Sequence, residues 1–354
     1  MKKIVFVVST VFLSALISSG QEVVVSNLST VVTDLMLFDN HVYIAQSVRI
    51  TKVDLAATTP TTENFIFEDL TAGMALKDGY LYLALLANDD QLVRYNFNDP
   101  SNGPVYLTEP EYGNWDLLFI GNILYYTDAF NDIIYMLDMS GNPDNPVKEV
   151  YYDGIDACRG MAVHDGFLYV AEWKVNGKIY KFDLTLENPV PIEVASGLNM
   201  PHDIAFKNQE LYVSIEGEDR IVKSNADLVP LQFEDVISTT GPKSLLFDGD
   251  DLYFIFIGEG FSGLYDLARL DTSTLNLNKQ ELNQDLKLYP NPTAGGLNLN
   301  NLRTATEYSI YDIQGRLLKS GRAEPEIGLD VSAFSPGRYF LKLENGGFQS
   351  FLKK

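Results

Sequence analysis

The sequence predicts an all-β chain: a six-bladed β-propeller followed by a small C-terminal Ig-like antiparallel β-sandwich. Three observations predict it. A frame of apolar strand, tight turn and apolar strand recurs six times, roughly every 42 residues. Asp-Gly or Asn-containing pairs interrupt the frame in the manner of a β-hairpin. Aromatic residues make up 12% of the chain, with 20 Tyr and 20 Phe, and such residues favour strands.

The first segment is a targeting signal. Lys2-Lys3 precede an apolar run, Ile4 to Ile17, broken only by Ser9, Thr10 and Ser14, and Ser18-Ser19-Gly20 follow. A basic start, a short apolar core and small residues read as a secretory signal peptide over 1–20, with Gln21 as the new N-terminus. The apolar run is short of the about 20 residues that span a bilayer, and no other run reaches that length, so no transmembrane span is expected.

Next come the repeats, over 22–276. The second blade reads Gly73-Met74-Ala75-Leu76-Lys77-Asp78-Gly79-Tyr80-Leu81-Tyr82-Leu83-Ala84, and the fourth nearly copies it from Gly160 to Ala171. The frame repeats about Tyr43, Tyr82, Tyr125, Tyr169, Tyr212 and Tyr253. A third strand follows each hairpin, as in Ile179-Tyr180-Lys181-Phe182-Asp183, and a fourth, outer strand precedes the next, as in Lys148 to Tyr152. Four strands per unit is the make-up of a propeller blade. The ends are offset: Glu22 to Leu28 reads as a fourth strand with no blade before it, and the last unit stops at its third strand near Asp271. The first strand is therefore expected to complete the sixth blade and remove two open edges.

On these residues the chain resembles the six-bladed NHL, YVTN and SMP-30-like propellers, whose units share the Leu-Tyr-Val-Ala and Arg/Lys-Ile-x-Lys-x-Asp strands. The resemblance implies the fold. It leaves the chemistry open, because this fold hosts many activities.

A polar stretch ends in a linker, 277–284, before the module at 285–354. Short strands follow at turn-punctuated spacing: Gly296 to Leu299, Glu307 to Asp312, Arg316 to Lys319, Gly337 to Glu344 and Gln349 to Lys353. The module resembles the C-terminal sorting domain of the Bacteroidetes type IX secretion system. Tyr289-Pro290-Asn291-Pro292, Ile310-Tyr311-Asp312-Ile313-Gln314-Gly315-Arg316, Asp330-Val331-Ser332, Pro336-Gly337-Arg338-Tyr339-Phe340-Leu341-Lys342 and Lys353-Lys354 carry the likeness. It implies type IX machinery and its sortase as partners of residues 285–354, and a mature protein that is secreted or attached to the outer cell surface.

Charge narrows the partners. The net charge is −22, and residues 22–284 hold 15 Lys/Arg against 41 Asp/Glu, which excludes a general nucleic-acid binder. One cysteine, Cys158, excludes an internal disulfide and a Cys-based zinc cage, and an inert buried thiol is expected there. A monomer is expected.

Aligning blades on the repeat Tyr locates a candidate site. Ten residues before it stand Thr33, Ala72, Trp115, Arg159, His202 and Lys243; nine before it stand Asp34, Gly73, Asp116, Gly160, Asp203 and Ser244. Three after it stand Gln46, Leu85, Asp128, Glu172, Ile215 and Phe256, with Trp173 and Glu216 one residue later. These sets share the channel end formed by the fourth-to-first and second-to-third loops; His41 and His164 fall at the other end. Asp34, Asp116, Asp128, Asp203 and Glu216 are candidate ligands for Ca or Mg, which take carboxylate oxygens. His202, Arg159 and Glu172 are candidate catalytic groups, His202 as a base and Arg159 as a carboxylate or sugar-acid binder. Trp115, Trp173 and Lys243 are candidate ligand contacts. The alternative for the acids is that they bridge neighbouring blades or are simply solvated. Two functions follow: a secreted module binding a glycan, peptide or surface component, or a metal-dependent lactonase-like hydrolase. The resemblance to SMP-30-like hydrolases implies a channel metal held by carboxylates and amides, a pattern matched only in part. No Gly-x-Ser-x-Gly, P-loop or His-Glu-x-x-His occurs. Gly258 to Gly263 reads as a turn.

Overall fold

The computed structural model describes residues 21–29, 31–68, 70–86, 91–109, 113–258, 263–273, 275, 287–300, 302, 305–312, 316–325, 327–343 and 348–354. The expected signal peptide at 1–20 and the expected linker at 277–284 lie outside them. The chain divides into two compact units at Asp271/Thr272.

Among the described residues the first unit holds six four-stranded antiparallel sheets. Their innermost strands are Val32–Phe38, Thr71–Lys77, Asn114–Ile120, Cys158–His164, Pro201–Lys207 and Leu245–Asp248. Each innermost strand neighbours the next, and Val32–Phe38 returns to Leu245–Asp248, so the ring closes as a propeller. The sixth blade is completed by the N-terminal strand Gln21–Val25, which pairs with Tyr265–Asp271 in the register Gln21↔Leu270, Glu22↔Arg269 and Val23↔Ala268. The strand is shorter than the sequence suggested. Asn27 turns it at a positive φ of 60°, its N–H donating to Asp266 Oδ1 at 2.8 Å, and Leu28 then reaches Tyr265 through a separate backbone hydrogen bond.

The repeat explains the packing. The hairpin turns at Asp39-Asn40, Asp78-Gly79 and Asp165-Gly166 take positive φ at both residues, the geometry that matches strand twist. All six repeat tyrosines are buried. In five blades the Tyr lies directly across from a third-strand base, Lys52, Arg94, Lys181, Lys223 or Arg269, while Met136 takes this place in the third blade. Edge-to-face contacts at 4.9 Å link Tyr82 to Phe119, Tyr169 to Phe206 and Tyr212 to Phe247, each reaching into the following blade. Cys158 is fully buried and burial pushes its thiol upward, as expected of an inert residue.

The second unit is a two-sheet β-structure. One sheet orders Lys287–Tyr289, Gly296–Asn300 and Leu329–Asp330; the other orders Leu317–Ala323, Thr306–Asp312, Gly337–Leu343 and Phe348–Lys353. Leu297, Ile310, Leu341 and Phe351 fill its core. The motif residues have structural work: Asn291 Oδ1 accepts from Leu352 N at 2.9 Å, Arg316 Nε donates to Asp312 Oδ2 at 2.7 Å, and Tyr339 Oη donates to Ser335 O at 2.8 Å. No helix among the described residues is long and apolar enough to cross a membrane.

Candidate functional site

The channel rim is made where the innermost strands begin. In the first five blades the hairpin ladder slips at this point: pairing passes from Val32↔Gln46 to Leu35↔Ile44, from Asn114↔Asp128 to Leu117↔Tyr126, and from Cys158↔Glu172 to Met161↔Val170. Thr71/Gly73 and Pro201/Asp203 repeat it. Such bulges break the side-chain alternation and re-aim residues. The aligned residues Thr33, Asp34, Ala72, Trp115, Asp116, Gly160, His202 and Asp203 accordingly enclose one small cavity of about 10 Å³. That is room for about one water.

Three aspartates stitch alternate blades to their neighbours. Asp34 Oδ2 accepts from Met74 N at 2.8 Å, Asp116 Oδ2 from Met161 N at 2.7 Å, and Asp203 Oδ2 from Leu245 N at 2.7 Å. The other oxygen of each accepts the N–H of its own successor, Leu35, Leu117 or Ile204, at 2.7 Å. The blades between carry Gly73, Gly160 and Ser244 at the same position. A Cβ on Gly73 would lie 2.4 Å from Trp115 O, and one on Gly160 2.6 Å from the Asp203 Cα, so the stitch needs glycine there. Ser244 instead donates its hydroxyl to Asp34 Oδ1 at 2.9 Å. Burial raises Asp34 to about 6 and Asp203 to about 7, against the pull of their N–H donors. Burial, joined by the charges of Asp203 and Asp34, holds Asp116 well above the ordinary carboxylate range.

Above this layer the side chain of Arg159 is clamped between two indoles. Its guanidinium carbon lies 3.7 Å from the Trp115 ring centre and 3.5 Å from that of Trp173. Both faces of the cation are thus covered by electron-rich rings. No described carboxylate or carbonyl accepts from the guanidinium, and its Nε is buried without a partner. Burial lowers Arg159 to about 10, with Glu216 the charge that opposes this. Glu216 accepts from Trp173 Nε1 at 2.7 Å and lies 3.9 Å from Lys243 Nζ. His202 packs edge-on against Trp115 at 6.0 Å and is 2% exposed, with neither ring nitrogen partnered. Burial, with Arg159 and Lys243 adding to it, holds its imidazole well below its usual range and therefore neutral at pH 7.

The remaining expected residues stand apart from the cavity. Asp128 holds its own loop, accepting from Asn131 N at 2.9 Å and Asn131 Nδ2 at 2.8 Å. Glu172 pairs with Lys174 at 2.9 Å, and Lys174 also holds Asp156 at 2.9 Å. His202 and Arg159 make no hydrogen bond to Glu172 or to each other. Among the described residues no three His, Cys, Asp or Glu are placed to hold one metal ion. The donor set explains this: the oxygens of Asp34, Asp116 and Asp203 already accept backbone N–H groups, and those of Asp128 and Glu216 serve a loop and an indole. These acids do not fit a calcium or magnesium ligand shell as they stand. The Gly258 to Gly263 turn falls mostly outside the described residues, although Gly258 N donates to Leu264 O at 2.9 Å.

One feature of the rim was read from sequence without its means, and another was missed. Blade-bridging by these acids was one of the readings the aligned column offered; what it did not give is the means, a bulge that aims each acid at the next blade's backbone N–H. The Trp–Arg–Trp stack joins residues 44 and 14 positions apart, and only the ring brings them together.

Comparisons with known proteins agree with this architecture. Residues 287–354 match the secretion system C-terminal sorting domain. The chain therefore carries a type IX sorting domain and is exported to the cell surface or the extracellular space. No curated protein matches the sequence. Solved structures that resemble the chain include a putative oxidoreductase (glucose dehydrogenase) from Thermus thermophilus, with 16% identity, TM-score 0.55 and cover of 71% of this chain and 99% of that one. Another is a streptogramin B lyase, with 17% identity, TM-score 0.51 and cover of 68% and 78%. A third is a chain of the nidogen/laminin complex, with 19% identity, TM-score 0.54 and cover of 61% and 85%. At these identities they establish the β-propeller fold alone.

Proposed function

We propose that the exported propeller is a binding module whose ligand, a glycan, peptide or surface component, sits at the channel mouth on Trp115, Arg159, Trp173 and Lys243. The observation that carries this reading is the Arg159 guanidinium, held in place on both faces yet without an acceptor from the described chain. A largely desolvated cation with no direct acceptor costs free energy unless it is used. The two indoles offset part of that cost and fix the fork in one plane, as a rigid recognition group requires. The alternative, a metal-dependent hydrolase using Asp34, Asp116, Asp128, Asp203 and Glu216, asks acids that serve separate backbone, loop and indole donors to converge on one ion. Binding asks for no such change.

The reading is tested by probing glycan and peptide arrays with the full chain. Arg159→Ala and Trp115→Ala should abolish whatever signal the wild type gives, while Lys148→Ala on the outer strand of the third blade should keep it. Signal that survives both mouth substitutions and falls with the outer one would place the binding surface elsewhere.

A further inference from the structure

We infer that the group captured at the mouth is a single free carboxylate, taken up edge-on by Arg159; this rests on the binding reading above. The argument is geometric. Trp115 and Trp173 cover the two faces of the guanidinium at 3.7 and 3.5 Å, so a ligand reaches only its edge. The edge of a guanidinium is a planar fork of N–H donors that matches the two oxygens of a carboxylate. A third aromatic ring, from a ligand, has no face left to stack on.

Charge supports a monoanion. Arg159 and Lys243 are the bases of the mouth, and Glu216 is the acid between them, 3.9 Å from Lys243 and hydrogen-bonded to Trp173. Lys174, Glu172 and Asp156 are already paired among themselves. His202, beneath Trp115, has no charge to offer at pH 7. Arg159 itself has no ion-paired or hydrogen-bonded acid among the described residues, inside a propeller that is otherwise strongly acidic. A multiply charged polymer would meet the surrounding acids, whereas one carboxylate meets the cation that lacks an acid partner. The carboxylate can come from a sugar acid or from the C-terminus of a peptide, and the two sources present the same group.

The chain holds only two tryptophans, and both flank Arg159. Intrinsic tryptophan fluorescence therefore reports on this site alone. The test titrates the full chain, at constant ionic strength, with galacturonic acid and with an N-acetylated dipeptide acid. Their methyl esters, the C-terminal amide and sodium sulfate serve as controls. At least one acid should give a saturable change, its neutral ester or amide should bind at least tenfold more weakly, and Arg159→Gln should weaken the acid by a similar factor. Which acid responds identifies the source. The wild type with esters keeps the test independent of whether Arg159→Gln folds. No saturable response to either acid, or equal binding of acid and ester, overturns the inference. If arrays map binding to the mouth while ester and acid bind alike, the carboxylate falls and the binding reading stands. If arrays map binding elsewhere, the binding reading itself falls.

Discussion

Asp116 is buried in the ring with both oxygens committed to backbone N–H groups of two blades. Replacing it by Ala leaves Leu117 N and Met161 N without acceptors. Unsatisfied buried donors cost about 1–3 kcal/mol each, so Asp116→Ala should lose about 2–6 kcal/mol, read by denaturant unfolding. The same burial gives the ring a pH signature. Asp34 and Asp203 titrate near 6 and 7 in the folded chain, above the ordinary 3.8. The folded state then holds more protons than the unfolded state between about pH 4 and pH 7. This contribution to stability is full below the ordinary carboxylate value and is lost as pH rises through 6 to 7. For Asp34 alone it is on the order of 3 kcal/mol. Wild-type Tm should fall across that window more steeply than that of Asp34→Asn/Asp203→Asn; parallel curves would mean the carboxyls are ionised throughout. Residue chemistry here was only half legible from sequence. The aligned column placed Asp34, Asp116 and Asp203 on one rim, and among the readings of these acids the hydrogen bonds favour blade-bridging. Burial and donor count decide between them, and neither is written in a pattern of residue types.

At the level of strands, the repeat was legible because its period and its turn chemistry agree. Each Asp-Gly or Asp-Asn turn demands left-handed backbone, and each repeat Tyr recurs at the same height. Tyr169 pairs with Lys181 across the sheet and meets Phe206 edge-on, so Tyr169→Ala should cost about 3–5 kcal/mol in urea or heat. A change within 1 kcal/mol would contradict its packing role. The closing strand was read from offset ends, yet its length was overestimated, because the turn at Asn27 gives no signal distinct from any strand asparagine. Arg269 reaches across this closure to Glu22 at 3.0 Å and to Asp251 at 3.4 Å. Removing residues 21–25 reopens the edge of the sixth blade and should lower Tm and promote association, measured by light scattering, since an unpaired strand edge is a template for another chain.

The whole molecule combines an acidic propeller with a separate, nearly neutral sorting module. The segment 22–284, with 15 Lys/Arg against 41 Asp/Glu, is more negative than the chain as a whole, so self-repulsion should make the propeller's Tm rise with added sodium chloride over the range where surface charges are screened. The sorting module has its own core of Leu297, Ile310, Leu341 and Phe351. Its loss should therefore stop export and leave the propeller folded, which cell fractionation checks: the truncated chain should collect in the periplasm. The module was legible because its motif residues hold its turns, and the ring was legible because register forces equal heights. The ligand was not, because it depends on the meeting of Trp115, Arg159 and Trp173 from two blades. The most direct measurement is a crystal structure of the full chain with a ligand taken from the arrays. The account predicts an anionic group of that ligand within hydrogen-bond reach of the Arg159 guanidinium, between the two tryptophans. Density for the ligand on the opposite end of the channel, or on the outer strands with Arg159 untouched, would contradict it.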